Sequence, residues 1–174
     1  MSDYTEKLTD SQAMGFIDQV GSVFSSLPHL PAGVVKFLVK IAPWMALLGA
    51  VLGFITGPIV GLLGSLGSLF SLSPLLLLIT AIDVAIILLV SVLALIAFPL
   101  LKERKMKGWI LMFWTETLYA VTLITSVLQG TTAGIVYGVG FLLLGYYILF
   151  EMRSSYGPVA SAAKKVEEKV KDSQ

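Results

Sequence analysis

Residues 41–101 read IAPWMALLGAVLGFITGPIVGLLGSLGSLFSLSPLLLLITAIDVAIILLVSVLALIAFPLL. This stretch carries one charged side chain, Asp83, and residues 108–150 also carry only one, Glu116. A helix of about 20 apolar residues crosses a hydrocarbon core of about 30 Å. Both stretches are too apolar to form the surface of a water-soluble domain, so each predicts a pair of membrane-spanning helices.

The composition of the whole chain indicates the same class. Of the 174 residues, 56% are hydrophobic and 13% are charged, whereas soluble domains average about 25% charged residues. The net charge of +1 gives no sign of a nucleic-acid partner, and the absence of cysteine excludes disulfides and thiolate metal sites. The first thirteen residues are polar and show no cleavable signal peptide, so the first span is expected to direct insertion.

These patterns predict an all-α integral membrane four-helix bundle with an N-terminal amphipathic interfacial helix. Residues 1–40 are expected to form a polar start and amphipathic interfacial helices, and residues 151–174 a charged cytoplasmic tail. The predicted spans cover about 43–64, 74–100, 109–129 and 133–150.

The N-terminal segment has a helical apolar period. Ala13, Phe16, Ile17, Val20, Val23, Phe24 and Leu27 recur at intervals of three and four. Thr9 and Gln12 have the spacing of a capping box, which favours a helix start near Asp10. Such a helix lies in the membrane interface or packs on a soluble partner, and the pattern fits both. A second short helix is expected to begin at Pro31.

The first span has two readings. In one, the helix runs from Pro43 to Gly64 with a kink at Pro58. In the other, it stops at Gly57, and the uncharged residues 58–73 lie in the interface or re-enter the membrane.

Basic residues predict the orientation. Lys36, Lys40, the 102–107 loop and Arg153 all fall at one end of the predicted bundle, while the loops 65–73 and 130–132 carry no charge. The positive-inside rule therefore predicts that both termini are cytoplasmic. It also predicts interfacial positions for the aromatic residues Trp44, Trp109, Tyr146, Tyr147 and Phe150. The basic loop contains four candidate lipid-headgroup ligands, or is simply solvated: Lys102, Arg104, Lys105 and Lys107.

Small residues predict how the spans pack. Gly49, Gly53, Gly57 and Gly61 are spaced by four in the first span, and Gly134, Gly138 and Gly145 share a face of the fourth. Because close backbone contact replaces the hydrophobic effect between helices in lipid, we expect these two faces to pack together. The alternative is an interface with another subunit.

Polar side chains in the spans give the candidate ion or proton site. Thr115, Tyr119, Thr122, Ser126 and Gln129 follow one face of the third span, with Glu116 at its edge; Thr80 and Asp83 lie in the second span. Counted from opposite helix ends, Asp83 and Glu116 both fall near mid-depth, so antiparallel packing could bring them together. One of two such carboxyl groups should hold a proton. Alternatively, both serve as hydrogen-bonding glue between helices.

The sequence offers little support for catalysis. The single histidine, His29, lies between two prolines, and no histidine–carboxylate cluster suits zinc. The serines of residues 65–73 have no nearby base. We therefore expect no metal, no cofactor and no enzymatic activity.

One resemblance can be drawn from interface and loop residues. The stretch 97–109 (AFPLLKERKMKGW), Phe113-Trp114, residues 147–150 (YILF) and Ala42-Pro43-Trp44 resemble a group of small uncharacterised bacterial four-helix membrane proteins. The resemblance covers residues 36–155. It implies a protein of the bacterial cytoplasmic membrane and carries no activity.

Three functional hypotheses follow. The first is a non-enzymatic membrane component that organises partners or lipids, alone, as a homo-oligomer or with another membrane protein. The second is a proton-linked or cation-conducting channel or transporter that uses Asp83 and Glu116. The third, a lipid-modifying enzyme, lacks a candidate nucleophile or metal set.

Overall fold

The computed structural model describes residues 11–70, 72–128 and 132–157, and within these ranges every regular element is helical. The five α-helices are α1 (Ser11–Phe24), α2 (Ala32–Phe70), α3 (Pro74–Lys102), α4 (Met106–Leu128) and α5 (Thr132–Met152), followed by a 3₁₀ turn, Arg153–Ser155. Four of them, α2 to α5, are long and apolar enough to cross a membrane. The predicted all-α class with four spans is confirmed.

The first membrane helix differs from the prediction. The short helix expected at Pro31 and the first span form one 39-residue helix, α2, which continues through both Pro43 and Pro58. The alternative in which the helix stops at Gly57 is therefore wrong. An apolar environment makes unsatisfied backbone groups costly, so a helix tends to continue past a proline there.

The other three spans lie close to their predicted positions. The ends of α3, α4 and α5 differ by at most three residues from the predicted ranges 74–100, 109–129 and 133–150. Pro74 begins α3, and the Ser73 hydroxyl accepts a hydrogen bond from the Leu76 amide as its N-cap. The proposed cap at Thr9 and the tail beyond residue 157 lie outside the described residues.

A Schellman turn joins α3 to α4. The Lys105 amide donates to the Leu100 carbonyl and the Arg104 amide to the Leu101 carbonyl, which is the hydrogen-bond pattern of this helix C-terminus. Arg104 occupies the left-handed position, with φ of 54°, where glycine is the usual residue. We call the end of the bundle that contains this turn the basic end.

The buried core lies at the basic end rather than at the centre of the bundle. Trp109 and Phe113 are fully buried there, and their rings pack with those of Tyr146 and Phe150. The Trp109 indole N–H donates to the Leu149 carbonyl at 2.7 Å. Trp109 is thus a core residue that links α4 to α5, and its ring does not face the outside of the bundle. Trp44, 58% exposed, is free to take the interfacial role.

The amphipathic helix α1 packs on the chain's own spans. Ile17 is fully buried against the core, and the Phe24 ring stacks on that of Phe150. Neither of the two readings from the sequence, an interfacial helix or a helix on a soluble partner, included this third arrangement. Its outer face remains apolar in part, since Val23 is 67% exposed.

The glycine face of α2 packs on α3. A Cβ atom at Gly57 would meet Ile87 and Leu88, and one at Gly61 would lie 3.0 Å from Val84. The predicted pairing with the fourth span was wrong for these residues, because α3 begins only four residues after the end of α2 and packs directly back along it. Gly49 faces open space.

Candidate functional site

A lateral groove between α4 and α5 contains Glu116. The groove has a volume of about 400 Å³, and Tyr119, Thr122 and Gly138 lie in its lining. Its walls are otherwise apolar, formed by Leu123, Phe141, Leu142, Leu144 and Ile148. Phe141 is 73% exposed and Tyr119 is 43% exposed, so the groove opens sideways, toward what would be lipid.

Glycine at position 145 makes room for the carboxyl group. A Cβ atom there would lie 2.8 Å from Glu116 Oε1 and 2.9 Å from Oε2, and real Cβ atoms do not approach so closely. Gly138 has a similar relation to the side chain of Leu123. Gly138 and Gly145 therefore pack on α4, where they set the shape of the groove; the surroundings of Gly134 lie outside the described part of the structure.

The chemistry of the groove follows from what surrounds Glu116. An ionised carboxylate inside a membrane costs several kcal/mol unless it is paired. The two long apolar stretches, 41–101 and 108–150, contain no lysine, arginine or histidine. Glu116 is therefore either protonated or paired with a cation supplied from outside these spans.

Asp83 lies outside the groove that contains Glu116. The Thr125 hydroxyl donates to Asp83 Oδ1 at 2.6 Å and is also 2.8 Å from the Thr122 carbonyl. Thr125 is nine residues beyond Glu116 on α4, which places it about 13 Å farther from the basic end. The two carboxyl groups are at different depths and do not form the predicted pair.

The helix lengths explain this error. Asp83 is nineteen residues before the end of α3 at Lys102, and Thr125 is nineteen residues after the start of α4 at Met106. Antiparallel helices joined by a tight turn align such equidistant residues. The prediction counted the depths of Asp83 and Glu116 from opposite ends of their helices, which is valid only if the two helices are equally long. In the structure α3 has 29 residues and α4 has 23. Thr125 was absent from the predicted site, although counting from the basic loop would have identified it.

The remaining candidate hydroxyls bond within their own helices. Thr115, which is buried, donates to the Met112 carbonyl, and Thr80 donates to the Leu76 carbonyl. Thr80 also lies against Gly64 in the α2–α3 contact. Of the five predicted ion-site residues, Glu116 and Tyr119 line the same groove. In the described ranges, no cluster of three or more histidine, aspartate or glutamate residues could hold a metal.

A second set of polar contacts, which sequence reasoning missed, holds the segment from α1 to α2 on the end of α5. Glu151 accepts hydrogen bonds from the Leu30 amide and the His29 ring, both at 2.8 Å. Arg153 pairs with Asp18 at 2.6 Å and lies over the Trp109 ring at 5.3 Å from its centroid. The only signal in the sequence was the pair of charged residues, Glu151 and Arg153, that follows the last apolar stretch.

The predicted headgroup residues divide into two groups. Lys102 and Arg104 line a second groove together with Lys36 and Lys40 of α2. Lys105 instead pairs with Glu103 at 2.5 Å, and Lys107 is exposed outside that groove.

The fold is that of an all-α, multi-pass membrane protein, with an acidic side chain in a laterally open groove. No protein-family model matches the sequence, and no curated protein or solved structure matches it at a significant level.

Proposed function

We propose that this chain is a non-enzymatic membrane component that organises partners within the bilayer, and that its Glu116 groove receives another transmembrane helix. The observation that carries the proposal is the position of Glu116, a carboxyl group in a laterally open apolar groove, in spans that supply no cation. A donor or cationic side chain on the incoming helix would satisfy it.

The energetics favour a helix as the occupant. Hydrogen bonds between membrane helices contribute about 0.6 to 2 kcal/mol, enough to select a partner when packing contacts add to them. Gly140 of α5 faces open space. Small residues there let a second backbone approach closely. The partner is either a second copy of the chain or a different membrane protein.

Site-specific photo-crosslinking in native membranes tests this proposal. A benzophenone side chain at the exposed position Phe141 should give one product of defined mass, whereas the same group at Leu52, on α2, should not. Glu116→Gln should abolish the product, and Asp83→Asn should leave it unchanged. A product that is insensitive to Glu116→Gln, or equal at both probe positions, would refute the proposal.

Proton or cation conduction is the second candidate, because the Glu116 carboxyl and the Tyr119 ring share one cavity. Reconstitution in liposomes separates the two functions. Transport through this site requires flux above the protein-free background in the wild type and in Asp83→Asn, and its loss in Glu116→Gln. Flux at background in the wild type removes the transport hypothesis and leaves the crosslinking result as the test of assembly.

We also propose that the protein resides in the bacterial cytoplasmic membrane with the basic end inside. The chain lacks cysteine, so single cysteines can report topology against a clean background. A membrane-impermeant maleimide should label Leu72→Cys in intact cells and Lys107→Cys only after permeabilisation. The reverse pattern would invert the topology. A screen for lipid turnover with no product would support the non-enzymatic assignment.

A further inference from the structure

A second groove lies at the basic end, where α2 passes the C-terminus of α3. Its volume is about 420 Å³, and four basic residues line it: Lys36, Lys40, Lys102 and Arg104. None of the described residues that line this basic groove is acidic. The remaining lining is apolar and includes Trp44 and Leu101.

Two independent features of the fold bring these charges together. Lys36 and Lys40 are one helical turn apart on α2, so they share a face. Lys102 closes α3, and the Schellman turn carries Arg104 back toward the same groove. The packing of α3 along α2 is what joins the two pairs.

Arg104 holds its position at an energetic cost. A non-glycine residue in the left-handed region is strained relative to glycine, and Arg104 has φ of 54°. Strained residues cluster at binding sites. A glycine would make the turn easily, but it would remove one of the four cations from the groove.

The groove is continuous with an exposed apolar stripe. Trp44, Leu48 and Leu52 follow Lys40 at intervals of four along α2, and they are 58%, 51% and 49% exposed. A molecule with an anionic head and an apolar tail fits this order of chemistry, with the head among the basic side chains and the tail along the stripe. A soluble phosphate would contact only the basic side chains and not the apolar stripe.

We propose that this groove binds the headgroup of an anionic phospholipid in the leaflet at the basic end. Basic pockets between transmembrane helices are suited to such headgroups. This site is separate from the Glu116 groove. Failure of lipid binding would therefore leave the crosslinking test unaffected, and failure of the crosslinking test would leave the lipid site standing.

The test uses the purified full chain in neutral detergent and measures the apparent affinity for phosphatidylglycerol by native mass spectrometry. Lys40→Gln/Lys102→Gln removes two charges from the groove, and Lys105→Gln/Lys107→Gln removes two charges beside it. At about 1 kcal/mol for each basic side chain, the first double variant should bind about thirty-fold more weakly, and the second should bind nearly as the wild type does.

Three results would overturn the proposal. They are equal losses in both double variants, equal binding of phosphatidylcholine and phosphatidylglycerol, and competition by glycerol phosphate at the affinity of the whole lipid. The last result would indicate a soluble phosphate ligand. If the first double variant does not elute as a single species, Lys36→Gln with Lys107→Gln as its control gives the same comparison for one charge.

Discussion

Replacing Gly108 with alanine probes a close contact between α3 and α4. A Cβ atom at this position would lie 2.8 Å from Leu100 Cβ, 2.8 Å from the Leu101 nitrogen and 2.9 Å from the Leu100 carbonyl carbon. These atoms belong to the backbone of α3 or are fixed to it, so no side-chain rotation can relieve the contact. The turn between the two helices would have to open.

Two opposing effects set the magnitude. Alanine is favoured over glycine in a helix by up to about 1 kcal/mol, whereas overpacking a close contact costs about 1–3 kcal/mol. Since the clash is with backbone, we expect a net loss of about 1–2 kcal/mol. For a chain of this length, each kcal/mol lowers Tm by about 2–4 °C.

Gly49→Ala is the matched control, because nothing lies within 4 Å of a Cβ atom at that position. Thermal unfolding of the monodisperse full chain in mild detergent should show a lower Tm for Gly108→Ala and an unchanged or slightly higher Tm for Gly49→Ala. If Gly108→Ala melts at or above the wild-type temperature, the described packing of α3 on α4 is incorrect.

Three further predictions concern the basic end. Trp109→Phe should lower the free energy of unfolding by about 1–3 kcal/mol, because the buried Leu149 carbonyl loses its indole donor; an SDS titration that shows no change would contradict this. Arg153→Gln should make α1 more sensitive to limited proteolysis, with a loss of less than about 1 kcal/mol because Asp18 is 60% exposed; an unchanged cleavage rate would mean that apolar contacts alone hold α1. Burial raises the pKa of Tyr156 to about 12. The phenol of the unfolded chain therefore ionises first, and the stability that this pKa difference contributes is complete below pH 10 and is lost as the pH rises toward 12. Tyr156→Phe should weaken that alkaline loss without destabilising the protein at pH 7, because the hydroxyl has no hydrogen-bond partner among the described residues; an equal loss in both proteins would assign it to other groups.

The candidate site shows where sequence reasoning succeeds and where it stops. Glu116 and Asp83 were identified because a charge is costly in a long apolar stretch, whatever the helices pack against. Their relation to each other depends on the register between α3 and α4, which is fixed by the residue at which each helix meets the turn. An uncertainty of a few residues at each end is enough to separate the two groups by several ångströms.

The same division holds for the fold. The sequence alone determined the membrane class and the number of spans, because transfer of a helix into lipid depends on summed hydropathy and length. Only the tertiary structure decided that the glycines of α2 face α3, that Trp109 and α1 belong to the core, and that Lys36 and Lys40 meet Lys102 and Arg104. Those contacts join residues far apart in the chain, and many pairings of apolar helices bury similar surfaces, so shape and turn geometry choose among them.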